Sequence, residues 1–167
     1  MKPELFIKQF LPYAQETETK TGISAIFTLA QAAHESGWGK SCPGNMFFGK
    51  KDDDGINGNE QLIRTTEYSR RMDLEFPEII SITPVVRNGL PYYRYVIRDY
   101  FRKYNTPEES FTDHARFFFK NKRYANSLLA KGDPREFARR IAAAGYATDP
   151  NYSNLLESII NKIDGLI

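Results

Sequence analysis

Most of the chain has the hydrophobic spacing of helices, and one middle stretch has the two-residue rhythm of strands. Leu5, Phe6, Gln9, Phe10 and Tyr13 fall at helical spacing, and Pro3 suits a first turn. A helix is expected over residues 3–20, with Gly22 ending it. Ser24 can cap a second helix, about 24–36, that is apolar nearly all round: Ala25, Ile26, Phe27, Leu29, Ala30, Ala32 and Ala33. A helix of that kind is central and buried. It carries one thin polar line of Ser24, Thr28, Gln31 and Glu35.

From about Cys42 to Tyr104 the rhythm changes. The runs "IISITPVV" (79–86) and "YYRYVI" (92–97) flank Arg87-Asn88-Gly89-Leu90-Pro91. Asn-Gly between two such runs signals a hairpin, while the prolines on either side leave its register open. "QLIRTTEY" (61–68) is a third candidate strand. After Tyr104 the helical spacing returns. Thr106-Pro107-Glu108-Glu109 reads as N-cap, first-turn proline and capping-box glutamate, ahead of an apolar face of Phe111, Ala115, Phe118 and Phe119. Asp133-Pro134 opens a helix through about Ala144, ended by Gly145. Asp149-Pro150 opens the last one, with Tyr152, Leu155, Leu156, Ile159, Ile160 and Ile163 as its buried stripe. The fold class expected is α+β and mainly α. Residues 1–167 form one domain, a helical body with a small β-rich lobe (about 42–104) inserted after the second helix. A groove between the two parts is the natural ligand site.

Composition narrows the chemistry. With 167 residues, 41% hydrophobic and 26% charged, the chain is long enough for a real core and too balanced for disorder. Ten Tyr and twelve Phe suit a dense core or a surface on which flat ligands stack. The net charge is only +2 and no Lys/Arg cluster is long enough for a nucleic-acid stripe, so a nucleic-acid partner is not expected. The lone Cys42 rules out an internal disulfide, and two histidines make a zinc site improbable. Aligning Asp52-Asp53-Asp54-Gly55 on a calcium loop puts Lys50 at the first ligand position and Gln61 at the last, so a polar turn is the better reading. No metal or other cofactor is implied. No run is long enough to span a membrane, and "MKPELFIKQFLPYAQ" lacks the apolar core of a signal peptide. If the substrate lies outside the cell, export by phage lysis, a secretion system or a removed leader is expected.

The stretch "AQAAHESGWG" (30–39) carries the chemistry. Glu35 sits at the C-terminal end of the apolar helix, where the helix dipole disfavours a further negative charge. Partial burial would disfavour it too, and both effects raise a carboxyl's pKa. A glutamic acid that keeps its proton is what a general acid for breaking an acetal needs. Gly37-Trp38-Gly39 then turns the chain sharply beside it. The plainer alternative is a solvated helix end.

Six blocks occur in one order: "AQAAHESGWGKS", "GNMFFGKK" (44–51), "TTEY" (65–68), "ESFTDHARFF" (109–118), "NKRYA" (121–125) and "AAGYATDPNYSNLLESII" (143–160). Together they resemble the glucosaminidase domains of glycoside hydrolase family 73, over roughly residues 10–163. The resemblance implies a lysozyme-like fold, with a helical lobe and a small β-hairpin lobe flanking a cleft. It implies an endo-β-N-acetylglucosaminidase that cuts the β-1,4 bond after N-acetylglucosamine in peptidoglycan. Glu35 then matches the family's general acid and Glu67 its second carboxylate, with Thr65 on the same strand face. Tyr146 lies beside the acid, and Asn45 and Phe48 belong to a loop at the cleft floor. Met46 stands where the family usually has a second Asn, and residues 69–90 look longer than the usual link. That extra length leaves Asp73, Glu75 and Glu78 as substitutes for Glu67. Trp38 either stacks on a sugar or seals the core under Glu35. His34 and His114 read as hydrogen-bonded structural histidines.

The expected partner is the glycan strand of peptidoglycan, met by a monomer at the cell wall without membrane insertion. A muramidase or lytic transglycosylase is the enzymatic alternative. A wall-binding module without turnover is the alternative from another class.

Overall fold

In a computed structural model describing residues 1–167, the chain divides into two compact units. One comprises Met1–Phe48 and Tyr104–Ile167, the other Gly49–Lys103. Residues 42–48 therefore belong with the helices. No helix is long and apolar enough to cross a membrane.

The first unit holds α1 (Pro3–Thr21), α2 (Ala25–Ser36), α3 (Pro107–Lys120), α4 (Ala125–Leu128), α5 (Pro134–Ala143) and α6 (Tyr152–Asp164). Their starts are chemically local. Ser24 accepts from the Phe27 amide, Thr106 from the Glu109 amide, and Asp133 from the amides of Arg135 and Glu136. Gly22 ends α1 at φ 77°, a left-handed conformation that glycine adopts freely. Nine residues of the twelve in α2 are buried, and α1, α3, α5 and α6 all pack on it. Alanines at 30, 32 and 33 let those neighbours approach closely. Phe27, Phe118 and Phe137 meet edge to face, with ring centroids 4.6–6.1 Å apart. Each is fully buried, and such a side chain contributes about 1.5–3 kcal/mol.

Some details differ from the sequence reading. The carboxylate of Glu109 reaches one residue past the capping-box position and accepts from the Asn105 amide at 2.8 Å. Asp149 accepts from the Asn151 amide in a turn, and α6 begins only at Tyr152. Residues 122–128 form a short 3-10 turn and α4, which no periodicity announced. Leu5, Phe119 and Leu155 point to solvent, because the buried faces run instead through Phe6, Ile7 and Phe10, through Phe111 and Phe118, and through Leu156 and Ile160.

The second unit is an antiparallel sheet of β1 (Glu60–Ser69), β2 (Glu78–Arg87) and β3 (Leu90–Arg102), in the order β1-β3-β2. Asn88 and Gly89 form its two-residue hairpin turn, both at positive φ, as the right-handed strand twist favours. Pro84 is tolerated because β2 is an edge strand. A bulge at Ile80 shifts the β2–β3 register between Ile79 and Ser81. Tyr95 and Ile97 are fully buried on one sheet face. Tyr95 donates its hydroxyl hydrogen to the Arg71 carbonyl at 2.6 Å, and Phe76 packs on its ring, so residues 71–76 cover that face. Asp53 and Asp54 converge on Arg102 at 2.6 and 3.0 Å, which makes 52–54 an ion-paired turn.

Candidate functional site

The polar line of α2 is the spine of the site. Thr28 bonds back to the Ser24 carbonyl, and Gln31 is fully buried with both ends of its amide used. Its Nε2 donates to the Tyr152 hydroxyl at 2.9 Å, and its Oε1 lies 2.9 Å from His114 Nε2. An amide oxygen only accepts, so His114 Nε2 carries a hydrogen in this arrangement. The Tyr146 hydroxyl lies 3.3 Å from the same nitrogen and also hydrogen-bonds Tyr152, so it belongs to the same network. Phe48 stacks on His114 with centroids 3.7 Å apart and planes 12° from parallel, which fixes the imidazole from one side. His114 is thus a hydrogen-bonded, positioned histidine, as its context suggested.

Glu35 lies one turn beyond Gln31, on the last turn of α2. Here the sequence reading needs correction. Glu35 is exposed, because α2 emerges from its packing at His34, so the partial burial expected of it is not found. Burial pushes the Tyr146 phenol far above the ordinary tyrosine range, with the Tyr152 and Glu35 charges adding to it. Tyr152 is raised by burial and by Glu35, against the opposing hydrogen bond from Gln31. The Glu35 carboxylate therefore acts on two neutral phenols whose rings are 5.4 Å apart.

Gly37, Trp38 and Gly39 all take positive φ, near 59°, 59° and 73°. This run ends the helix, with the Trp38 amide donating to the Ala33 carbonyl at 2.7 Å. Ser36 ties the turn by accepting from the Gly39 amide. A Cβ on Gly39 would come within 3.3 Å of the Phe6 ring, so a glycine is needed for this close approach. The Trp38 indole packs edge-on to Phe6 at 5.5 Å, and Lys162 lies 5.6 Å over it. This is the sealing position. Asn45 gives its Nδ2 hydrogens to the carbonyls of Tyr104 and Asn105, at 3.0 and 3.2 Å. Its side chain thereby anchors the chain entering α3. Phe48 is buried beneath the site.

Glu67 and Thr65 belong to the sheet unit, on the less exposed face of β1, as strand alternation predicts. Glu67 pairs with Lys51 at 3.0 Å, and the same ammonium reaches Asp99 at 3.0 Å. Burial lowers the Lys51 pKa, but its bonds to Glu67 and Asp99 outweigh that and raise it overall. Asp73 is held by Arg71 and Glu78 by Arg98. Tyr152, the partner of Gln31, and Lys51, the partner of Glu67, are the contacts that sequence reasoning missed. Tyr152 was read as core alone, although Gln31 on the polar line of α2 signals that a buried partner must exist. Nothing local marks Lys51.

A helical unit interrupted by a small antiparallel sheet, with a glutamate ending the central helix, is the lysozyme-like plan of glycoside hydrolases. The chain belongs to the glucosaminidase family, described as mannosyl-glycoprotein endo-beta-N-acetylglucosaminidase, whose profile matches residues 11–165. It is 31% identical over 98% of its length to the peptidoglycan hydrolase FlgJ of Vibrio parahaemolyticus, covering 48% of that protein. It is 30% identical over 96% of its length to the exo-glucosaminidase LytG of Bacillus subtilis, covering 51% of it. The chain thus spans about half the length of the curated relatives it matches. Among solved structures, a C-terminally truncated glycoside hydrolase domain of Salmonella typhimurium FlgJ superposes with a TM-score of 0.72 at 27% identity, covering 98% of this chain and 99% of that one. The catalytic domain of the autolysin Auto from Listeria monocytogenes shares the fold, with a TM-score of 0.71 at 23% identity over 98% of this chain and 86% of that one.

Proposed function

We propose that residues 1–167 act as one glucosaminidase domain, an endo-β-N-acetylglucosaminidase that hydrolyses the β-1,4 bond after N-acetylglucosamine in peptidoglycan. The observation that carries this reading is Glu35 at the negative end of α2, acting on two buried, neutral tyrosines. A glycan lying over the end of α2 excludes water from Glu35. Substrate thereby supplies the shelter that the fold leaves open. As general acid, Glu35 gives a proton to the glycosidic oxygen as the bond from C1 breaks. Tyr146, held by its hydrogen-bond network, orients the sugar. Glu67 stabilises the oxocarbenium-like carbon or activates the water that adds to it. Asn45, Phe48, Trp38 and Thr65 shape and line the glycan site, with Asn45 and Trp38 acting through the loops they fix. The protein works as a monomer on the cell wall, without nucleic acid or membrane insertion.

The family membership and the FlgJ and LytG names support a wall glycan as substrate. Mass spectrometry of borohydride-reduced wall digests tests the bond. Fragments ending in reduced N-acetylglucosamine are expected. Fragments ending in reduced or anhydro-N-acetylmuramic acid would replace this reading with a muramidase or lytic transglycosylase.

A further inference from the structure

The sheet face opposite Glu67 is exposed and basic. Pairing sets Arg64 directly across from Arg98, and Tyr68 across from Arg94. Residues so paired share a face, and Tyr92 joins them two positions before Arg94. The Arg87 guanidinium lies over the Tyr68 ring, 4.0 Å from its centroid, and 5.9 Å from that of Tyr92. Like charges directly opposite one another destabilise a sheet. Glu78 answers Arg98 at 2.6 Å, whereas no ion pair answers the exposed Arg64 or Arg94. The whole chain carries a net charge of only +2, so this concentration is local.

We propose that this face docks the carboxylate-bearing stem peptides of peptidoglycan, an inference that rests on the wall substrate proposed above. Guanidinium groups match carboxylates with paired N–H donors. The tyrosine rings take the apolar faces of the sugars that bear the peptides. A phosphodiester polymer or nucleic acid backbone would satisfy the arginines alone. The interleaved aromatics and the exposed Leu62 favour a ligand that mixes acids with apolar surface. Docking on this face holds the enzyme to peptide-substituted strands and is separate from bond cleavage.

The test compares the full chain with an Arg64→Glu/Arg94→Glu variant in cold pelleting assays. One wall preparation keeps its stem peptides and the other has lost them to an amidase. Wild type is expected to bind the intact wall more tightly. The variant should lose about tenfold of that affinity while binding the stripped wall as wild type does. Hydrolysis of stripped glycan should be the same for both, so failure of docking and failure of the glucosaminidase reading separate. An Arg64→Gln/Arg94→Gln variant with an unchanged melting curve replaces the charge reversal if that impairs folding. Equal binding of both proteins to intact wall would overturn the proposal. So would wild type that does not distinguish the two walls, or binding that soluble polyphosphate abolishes but stem peptides do not.

Discussion

The two units hold themselves together by different means. The helical unit buries aromatic rings against one another and threads a single polar line through them, in which Ser24, Thr28 and Gln31 each find a partner. The sheet unit has a few fully buried side chains, Tyr95 and Ile97 among them, and relies on ladders and on ion pairs at Lys51 and Arg102. Buried apolar area gives large, salt-insensitive stability. Half-exposed ion pairs give little and lose it to screening. The proposed acid stands on the stiff unit and the proposed second carboxylate on the softer one.

Substitutions can break that contrast. Phe118→Ala should destabilise by about 3–5 kcal/mol in chemical denaturation, because the Phe27–Phe118–Phe137 cluster cannot collapse on the cavity. A loss below about 1 kcal/mol would place the stability of the molecule elsewhere.

Next in size, Gln31→Leu removes the partner of His114 and Tyr152 inside the core. A cost of about 1–3 kcal/mol is expected, with a raised KM or lowered kcat from the loosened Tyr146.

Glu108→Gln sharpens the contrast through pH. Glu108 is buried at the α1–α3 contact. Burial raises its pKa, but bonds from Lys20 at 2.8 Å and Thr112 outweigh this and lower it overall. A carboxyl lowered on folding stabilises above its unfolded pKa of about 4.3, and that contribution fades as pH falls through the folded value. Denaturation should show a deficit of about 1.5–3 kcal/mol at neutral pH that closes in acid.

The smallest effect belongs to the sheet. Lys51→Met should change stability by less than about 1 kcal/mol, and the difference should vanish in molar salt.

How much the sequence disclosed follows the range of each interaction. Asn88-Gly89 was legible because a two-residue hairpin turn needs positive φ at both positions. Ser24 and Asp133 were legible because their caps close within three residues. Asp149 misled because the same side chain also caps a plain turn. Gln31 finds its partners 83 and 121 residues away, so its place on the polar line could be read but its contacts could not. The exposure of Glu35 depends on where α2 leaves its packing, and helical periodicity does not encode that.

The central claim is proton delivery by Glu35, and Glu35→Gln tests it most directly by clearing of purified wall suspensions. At this exposed position the variant should fold and still bind wall, while its clearing rate falls about a thousandfold. Clearing at the wild-type rate would contradict the account.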